Sequence, residues 1–158
     1  MSIPRIGESY RGVEGRTGFL VRQLWHELRA AMDVGLRAHG LSGVQFGVLS
    51  VLARNPGVSG AELARASNIT PQAMNGILVT LERDGLVERR PHPTHGRILE
   101  ASLTDEGQRR LDSARPVVDS LEAALDDGLS DKQIALVREW LVSAAKRMVE
   151  EGTSLSER

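Results

Sequence analysis

Apolar side chains recur along residues 17–40, TGFLVRQLWHELRAAMDVGLRAHG, at Val21, Leu24, Trp25, Leu28, Met32 and Leu36. This i, i+3, i+4 spacing predicts an amphipathic helix that ends near Gly40. In LSGVQFGVLSVLARNPG, Ser42 and Gln45 form a capping box, and Leu41 with Phe46 occupy the positions of a hydrophobic staple. The helix they start should run to about Arg54, where NPG stops it. A second capping box, Ser59 with Glu62, opens SGAELARASN, which has room for about two turns before Asn68. The next helix begins at once in ITPQAMNGILVTLERDGLV, with Thr70 as N-cap and Pro71 at the first helical position, where no N–H is needed. Met74, Ile77, Leu78 and Leu81 form its buried stripe, and Gly85 terminates it. Two short helices joined by about three residues make the pattern of a helix-turn-helix.

After Gly85 the period changes to two. LVERR and RILEASLT read as strands of a hairpin, and Pro91, Pro93 and Gly96 make its tip too irregular and polar to pack. Thr104 caps a further helix that carries Leu111, Val118, Leu121 and Leu125 on one face, with Pro116 expected to kink it. Ser130 and Gln133 open the last helix. Its residues Ile134, Val137, Leu141, Ala144 and Met148 step by three and four, the narrow seam of helix-on-helix packing.

The chain of 158 residues is long enough for one domain with a sizeable core. It has no cysteine, which excludes a disulfide framework, a thiolate zinc site and a thiol redox sensor. The start has no long apolar run after its charges, and no stretch approaches a membrane span, so a soluble cytoplasmic protein is expected. The net charge of −1 hides an asymmetry. Residues 54–97 carry six arginines against four acids, whereas residues 104–158 carry eight Lys or Arg against twelve acids. A basic centre beside an acidic tail suggests that the centre meets a polyanion.

In this order, the elements resemble the MarR family of bacterial transcription regulators. The likeness is carried by SGAELARASNITPQAMNGILVTLERDGLVERRPHPTHGRILEASLTDEG: the helix-turn-helix, the LERDGLVERR exit, the wing turn, and the LT and EG that start the fifth helix. It extends from about residue 16 to residue 150. The resemblance implies a mainly α fold with a small β-hairpin, a winged helix-turn-helix flanked by dimerisation helices. Residues 1–40 would hold an N-terminal dimerisation helix, 41–103 the DNA-binding region and 104–158 the C-terminal dimerisation helices, all in one intertwined structural domain. Two features depart from the family pattern. The wing has His95, Gly96 and Arg97 where an acid followed by arginines is usual, and the recognition helix has Gly76 where relatives often carry a basic residue.

A recognition helix places its N-terminal residues at base edges in the major groove. Thr70, Gln72, Asn75 and Gly76 lie off the buried stripe. The amides of Gln72 and Asn75 could pair with adenine N6 and N7, and Gly76 would let the backbone approach closely. Ser59, at the start of the preceding helix, joins this set. On the wing, His92, His95 and Arg97 would reach a minor groove or its phosphates. Arg89 and Arg90 alternate along their strand, so one would face DNA and the other solvent or an acid. The two histidines could also share a metal ion, but no third ligand is evident; alternatively, their protonation would add phosphate contacts at low pH.

The resemblance further implies a two-fold dimer on a pseudo-palindromic double-stranded operator, its recognition helices about one DNA turn (~34 Å) apart. It also implies repression relieved by a small aromatic or phenolic effector. Trp25, His26, His39 and Phe46 are the aromatic and imidazole groups near the expected junction, although core or surface roles would explain them as well. No cofactor is expected. Catalysis finds no support, because the four histidines lie in a helix, a helix end and a wing tip, with no phosphate loop and no paired carboxylates. A winged helix used for protein contact is the alternative, and the basic wing argues against it.

Overall fold

The computed structural model describes residues 3–94 and 98–156. Its contacts group Met1–Leu121 and Glu122–Arg158 as two compact units. In the first unit, α1 (Thr17–Leu36) leads through a short 3-10 turn to α2 (Gly43–Arg54). A two-residue strand, β1 (Val58–Ser59), precedes α3 (Gly60–Ala66) and α4 (Pro71–Arg83). Strands β2 (Val87–Pro91) and β3 (Leu99–Leu103) follow, and α5 (Asp105–Asp126) then runs on into the second unit. The remainder of that second unit is α6 (Asp131–Ser156).

The local signals act where the sequence puts them. Ser42 accepts from the Gln45 N–H while Gln45 accepts from the Ser42 N–H, closing the box at the start of α2. Ser59 and Glu62 close the same box at α3. Thr70 accepts from the Ala73 N–H at α4, with Pro71 in its first turn. In the turn between α3 and α4, Asn68 adopts the left-handed conformation at φ 51° and Ile69 donates back to the Ala64 carbonyl. That bond lets half-buried Ile69 lean on the core. Within α4, Met74, Leu78 and Leu81 are fully buried against Leu49, Leu52 and Leu63 from the preceding helices. Truncating one of these leucines to alanine would cost about 2–5 kcal/mol.

The sheet has one strand more than the hairpin expected from sequence. Its order is β1-β3-β2, with Val58 opposite Ala101 and Ser59 opposite Glu100. Two residues are too few to show a period, so β1 left no signal in the sequence. In the hairpin, Val87 faces Leu103, Arg89 faces Ala101 and Pro91 faces Leu99. Pro91 is tolerated because β2 is an edge strand, where its missing N–H leaves no ladder bond unmade.

The base of the hairpin is tied to both flanking helices. Gly85 ends α4 at φ 71°, a conformation that favours glycine, and Leu86 donates to the Leu81 carbonyl. Thr104 then donates its N–H to Leu86 O and its hydroxyl to Gly85 O, while its Oγ1 accepts from the Gly107 N–H. α5 therefore starts directly against the end of α4. Gly107 has no room for a side chain, since a Cβ there would lie 2.0 Å from the Leu86 carbonyl oxygen. The helix continues through Pro116.

Apolar side chains of α1 are divided along its length. Leu36 is buried and Met32 packs on the core, whereas Val21, Leu24 and Trp25 are exposed. The α6 seam is uncovered as well, with Val137, Leu141 and Met148 all exposed.

A Gly→Ala change inside an exposed helix ordinarily stabilises by about 0.5–1 kcal/mol. Gly107→Ala should do the opposite and destabilise by about 1–3 kcal/mol, because the added methyl overpacks the junction. Urea-unfolding midpoints at matched slopes measure the sign directly.

Candidate nucleic-acid interface

The outer face of α4 follows from its buried one. With Met74, Leu78 and Leu81 turned inward, Gln72, Asn75 and Gly76 are exposed. Gly76 has nothing within 4 Å of the position a Cβ would take, so this part of the helix presents bare backbone to solvent. Thr70 is exposed at the cap, its oxygen already accepting from Ala73. Ser59 is more committed. Its hydroxyl both donates to Glu62 Oε2 at 2.7 Å and accepts from the Glu62 N–H at 3.3 Å.

Period two along β2 separates its two arginines. Val87 is buried, so Arg89 shares the inward face, and its side chain is only 15% exposed. Its Nε and Nη2 both donate to Glu82 Oε2, at 2.9 and 2.5 Å, and its Nη1 donates to Asn75 Oδ1 at 3.2 Å. Arg90 points the other way, 76% exposed, with Glu88 as its partner at 3.0 Å. Both arginines meet an acid, but Arg89 is the shielded one and Arg90 the exposed one. The buried Val87 two residues earlier is the sequence signal for which arginine turns inward.

His92 stands at the end of β2. Its Nε2 lies 3.5 Å from Glu100 Oε1, and its Nδ1 accepts from the Thr94 N–H at 3.1 Å. It borders a cavity of about 440 Å³ with Ser59, Glu62, Arg65 and Glu100. His95, Gly96 and Arg97, the remaining wing positions singled out in the sequence, lie outside the described residues. Arg65 was not among the candidates. It is exposed on α3, bordering the His92 cavity on one side and a surface hollow with Asn68 and Thr70 on the other. That location between the α4 cap and the wing base suits a phosphate, and the signal missed was a cation five residues before a helix N-cap. Among the described residues, no group of three or more His, Asp or Glu is placed to hold a metal ion.

The candidate effector residues are dispersed. Phe46 is 7% exposed in the core, as its staple position requires. His39 hydrogen-bonds Ser113 Oγ through Nδ1 at 3.2 Å. Trp25 and His26 lie exposed on α1. His26 borders an open cavity of about 410 Å³ with Tyr10, Arg11, Phe19 and Arg22. There Tyr10 meets Phe19 edge-on, and the Arg22 guanidinium sits 5.3 Å from the Phe19 ring centre.

A family model described as the MarR family matches residues 39–98. The HTH-type transcriptional repressor Rv2887 of Mycobacterium tuberculosis is 39% identical over 106 residues, covering 67% of this chain and 76% of the relative. Among solved structures, the transcriptional repressor CouR bound to a 23-mer DNA duplex superposes with a TM-score of 0.78 at 25% identity, covering 91% of this chain and 99% of that one. The Mycobacterium tuberculosis Rv2887 protein in complex with p-aminosalicylic acid superposes with a TM-score of 0.66 at 32% identity, covering 82% and 98%.

The α3 capping box should be visible in the acid limb of stability. The Glu62 carboxyl is held below the ordinary glutamate range, first by the Ser59 hydroxyl, then by the Ser59 N–H, with Arg65 adding a smaller pull against desolvation. A depressed folded pKa stabilises above the unfolded value, and that contribution is lost as pH falls through the folded one. Glu62→Gln keeps the acceptor oxygen without the charge. Its unfolding midpoint should therefore fall less steeply than the parent's between about pH 6 and about pH 3.

Proposed function

The chain belongs to the MarR family, and on that premise we propose that it is a dimeric, sequence-specific regulator of transcription that represses by occupying double-stranded DNA. One observation carries the reading: α4 turns Gln72, Asn75 and bare backbone at Gly76 outward beside a hairpin whose base is anchored to that helix. Amide side chains suit base edges in the major groove, and a glycine on that face lets the helix come close. Arg65 and Arg90 are exposed cations and would meet phosphates. Arg97 and His95, outside the described residues, are proposed to contact a minor groove or its phosphates.

Dimerisation is supported by the uncovered apolar side chains of α1 and α6, including Leu24, Trp25, Leu141 and Met148. Side chains of this size do not stand exposed in series on a helix that remains alone in water. A small aromatic acid is the proposed effector class, as the relative's salicylate complexes suggest. It would favour a dimer whose recognition helices no longer match the operator spacing, a shift of populations. Trp25 and His26 remain candidates for contact with it. The proposed role is regulatory rather than catalytic. No helix among the described residues is long and apolar enough to cross a membrane.

The reading is tested by fluorescence anisotropy on the duplex upstream of the protein's own gene, against a scrambled duplex, over a salt series. Preference for the native duplex by ~10³ or more is expected, with log K falling linearly in log salt. No preference at any salt would favour a winged helix that binds protein. Gly76→Ala sharpens the test because its two effects oppose: a gain of about 0.5–1 kcal/mol in stability with weaker operator binding. Affinity unchanged by that substitution would contradict close approach at Gly76. Salicylate titrated into the complex should lower the anisotropy.

A further inference from the structure

We propose that Arg89 is a positioning residue that decides what Asn75 reads. By holding Asn75 Oδ1, it directs the amide NH₂ outward, so that Asn75 recognises a hydrogen-bond acceptor on a base edge, guanine N7 or O6 or thymine O4. The bidentate adenine pairing, which needs the amide oxygen for N6 as well as the nitrogen for N7, is then closed to Asn75, and guanine, with two adjacent acceptors, fits the NH₂ best. This assignment rests on the DNA-reading role proposed above and refines the adenine pairing that the residue type alone suggests.

The argument begins with the chemistry of the guanidinium. Arginine has five N–H donors and no acceptor, so the amide atom that faces it must be oxygen. Asn75 and Glu82 are two turns apart and lie on the same side of α4. Arg89 reaches both from β2, with Nη1 on Asn75 Oδ1 at 3.2 Å and both Nε and Nη2 on Glu82 Oε2. The double contact to Glu82 fixes the plane of the guanidinium, and the low exposure of the side chain keeps it there. Ala101, opposite Arg89 in the ladder and fully buried, leaves room for the arginine stem against the helix.

The consequence for reading follows from geometry. Adenine pairing needs an amide oxygen and nitrogen level with one base edge, the oxygen accepting from N6 and the nitrogen donating to N7. With the oxygen drawn back to the wing strand, the NH₂ leads. Two donors then face the groove, where guanine offers adjacent acceptors and thymine offers one. Gln72 has no such restraint among the contacts described and keeps both amide atoms available. The two amides of the recognition helix are thus assigned different tasks.

Base analogues in the native duplex separate these cases, with full-length wild type, Asn75→Ala and Arg89→Met compared by anisotropy. Replacing guanine by 7-deazaguanine, or thymine by 4-thiothymine, one position at a time should reveal a site where wild type loses ~5-fold or more and Asn75→Ala loses nothing further. Replacing adenine by purine, which lacks the 6-amino group, should cost wild type no more than it costs Asn75→Ala at every position. In Arg89→Met, where methionine keeps the packed stem but frees the amide, the loss at the guanine or thymine site should shrink, and a duplex carrying adenine at that site should be bound better, relative to the native one, than by wild type. An adenine-to-purine loss in wild type that disappears in Asn75→Ala would overturn the proposal. So would a base preference that Arg89→Met leaves unchanged.

A second arm needs no DNA. In the free protein, NMR should show the Arg89 Nε–H exchanging with solvent at least ~10-fold more slowly than that of Arg90, the order expected for a hydrogen-bonded, shielded group. Equal rates would remove the clamp even from a protein that binds its operator well. Slow Arg89 exchange in a protein that prefers no duplex would instead retain the Glu82 anchor and overturn the DNA reading together with the base assignment.

Discussion

The carbonyl groups of Gly85 and Leu86 govern how the wing meets the recognition helix, because Thr104 takes both of them. Its hydroxyl donates to Gly85 O at 2.6 Å and its N–H to Leu86 O at 3.1 Å. The same Oγ1 then accepts from Gly107, so one threonine closes the hairpin and starts α5. A hairpin fastened at both ends of its base cannot swing freely about its helix, and backbone bonds of this kind are expensive to leave unmade once water is excluded. Gly107 carries the steric half of the constraint, since only a residue without a side chain lets α5 come up against Leu86. The Arg89 contacts extend the tie outward along β2 to the middle of α4.

The elements that were legible in sequence are those whose cause is local. Ser42 with Gln45, Ser59 with Glu62, and Thr70 before Pro71 each announce a helix start within four residues, and each cap is made as written. The buried stripe of α4 repeats over two turns and is equally plain. What escaped depends on partners distant in the chain. β1 is defined only by pairing with residues more than forty positions later, Val58 with Ala101. The inward turn of Arg89 was readable in principle from buried Val87, but the acid that receives it belongs to another element, α4. Phe46 was legible as a staple, and its burial agrees with that role.

The proposed DNA-reading surface offers neutral polar groups more than charge. No Lys or Arg lies between Arg65 and Arg83, so the first turns of α4 carry amides, a threonine cap and bare backbone. Arg83 is engaged with Asp84, Arg89 with Glu82, and Arg90 with Glu88. Of these pairs only Arg89–Glu82 is substantially shielded; the other two are exposed, worth little in water and open to exchange for phosphate. A chain of net charge −1 that binds DNA must concentrate its attraction locally. The exposed cations proposed to flank the reading surface would provide that concentration, while the acid-rich residues 104–158 carry the opposite sign.

Because the chain contains no cysteine, the surface that meets DNA can be mapped with a single introduced thiol at a time. Ala73 on α4, Thr94 in the wing and Ala123 on α5 are all exposed and none is among the proposed base readers. The decisive measurement is the alkylation rate of Ala73→Cys, Thr94→Cys and Ala123→Cys, with and without the duplex upstream of the protein's own gene. Slowing by ~10-fold or more is expected at the first two positions and no change at the third, because a specific interface excludes solvent. Rates at Ala73→Cys and Thr94→Cys unaffected by a duplex that the protein binds would show that α4 and the wing do not form the DNA-reading surface.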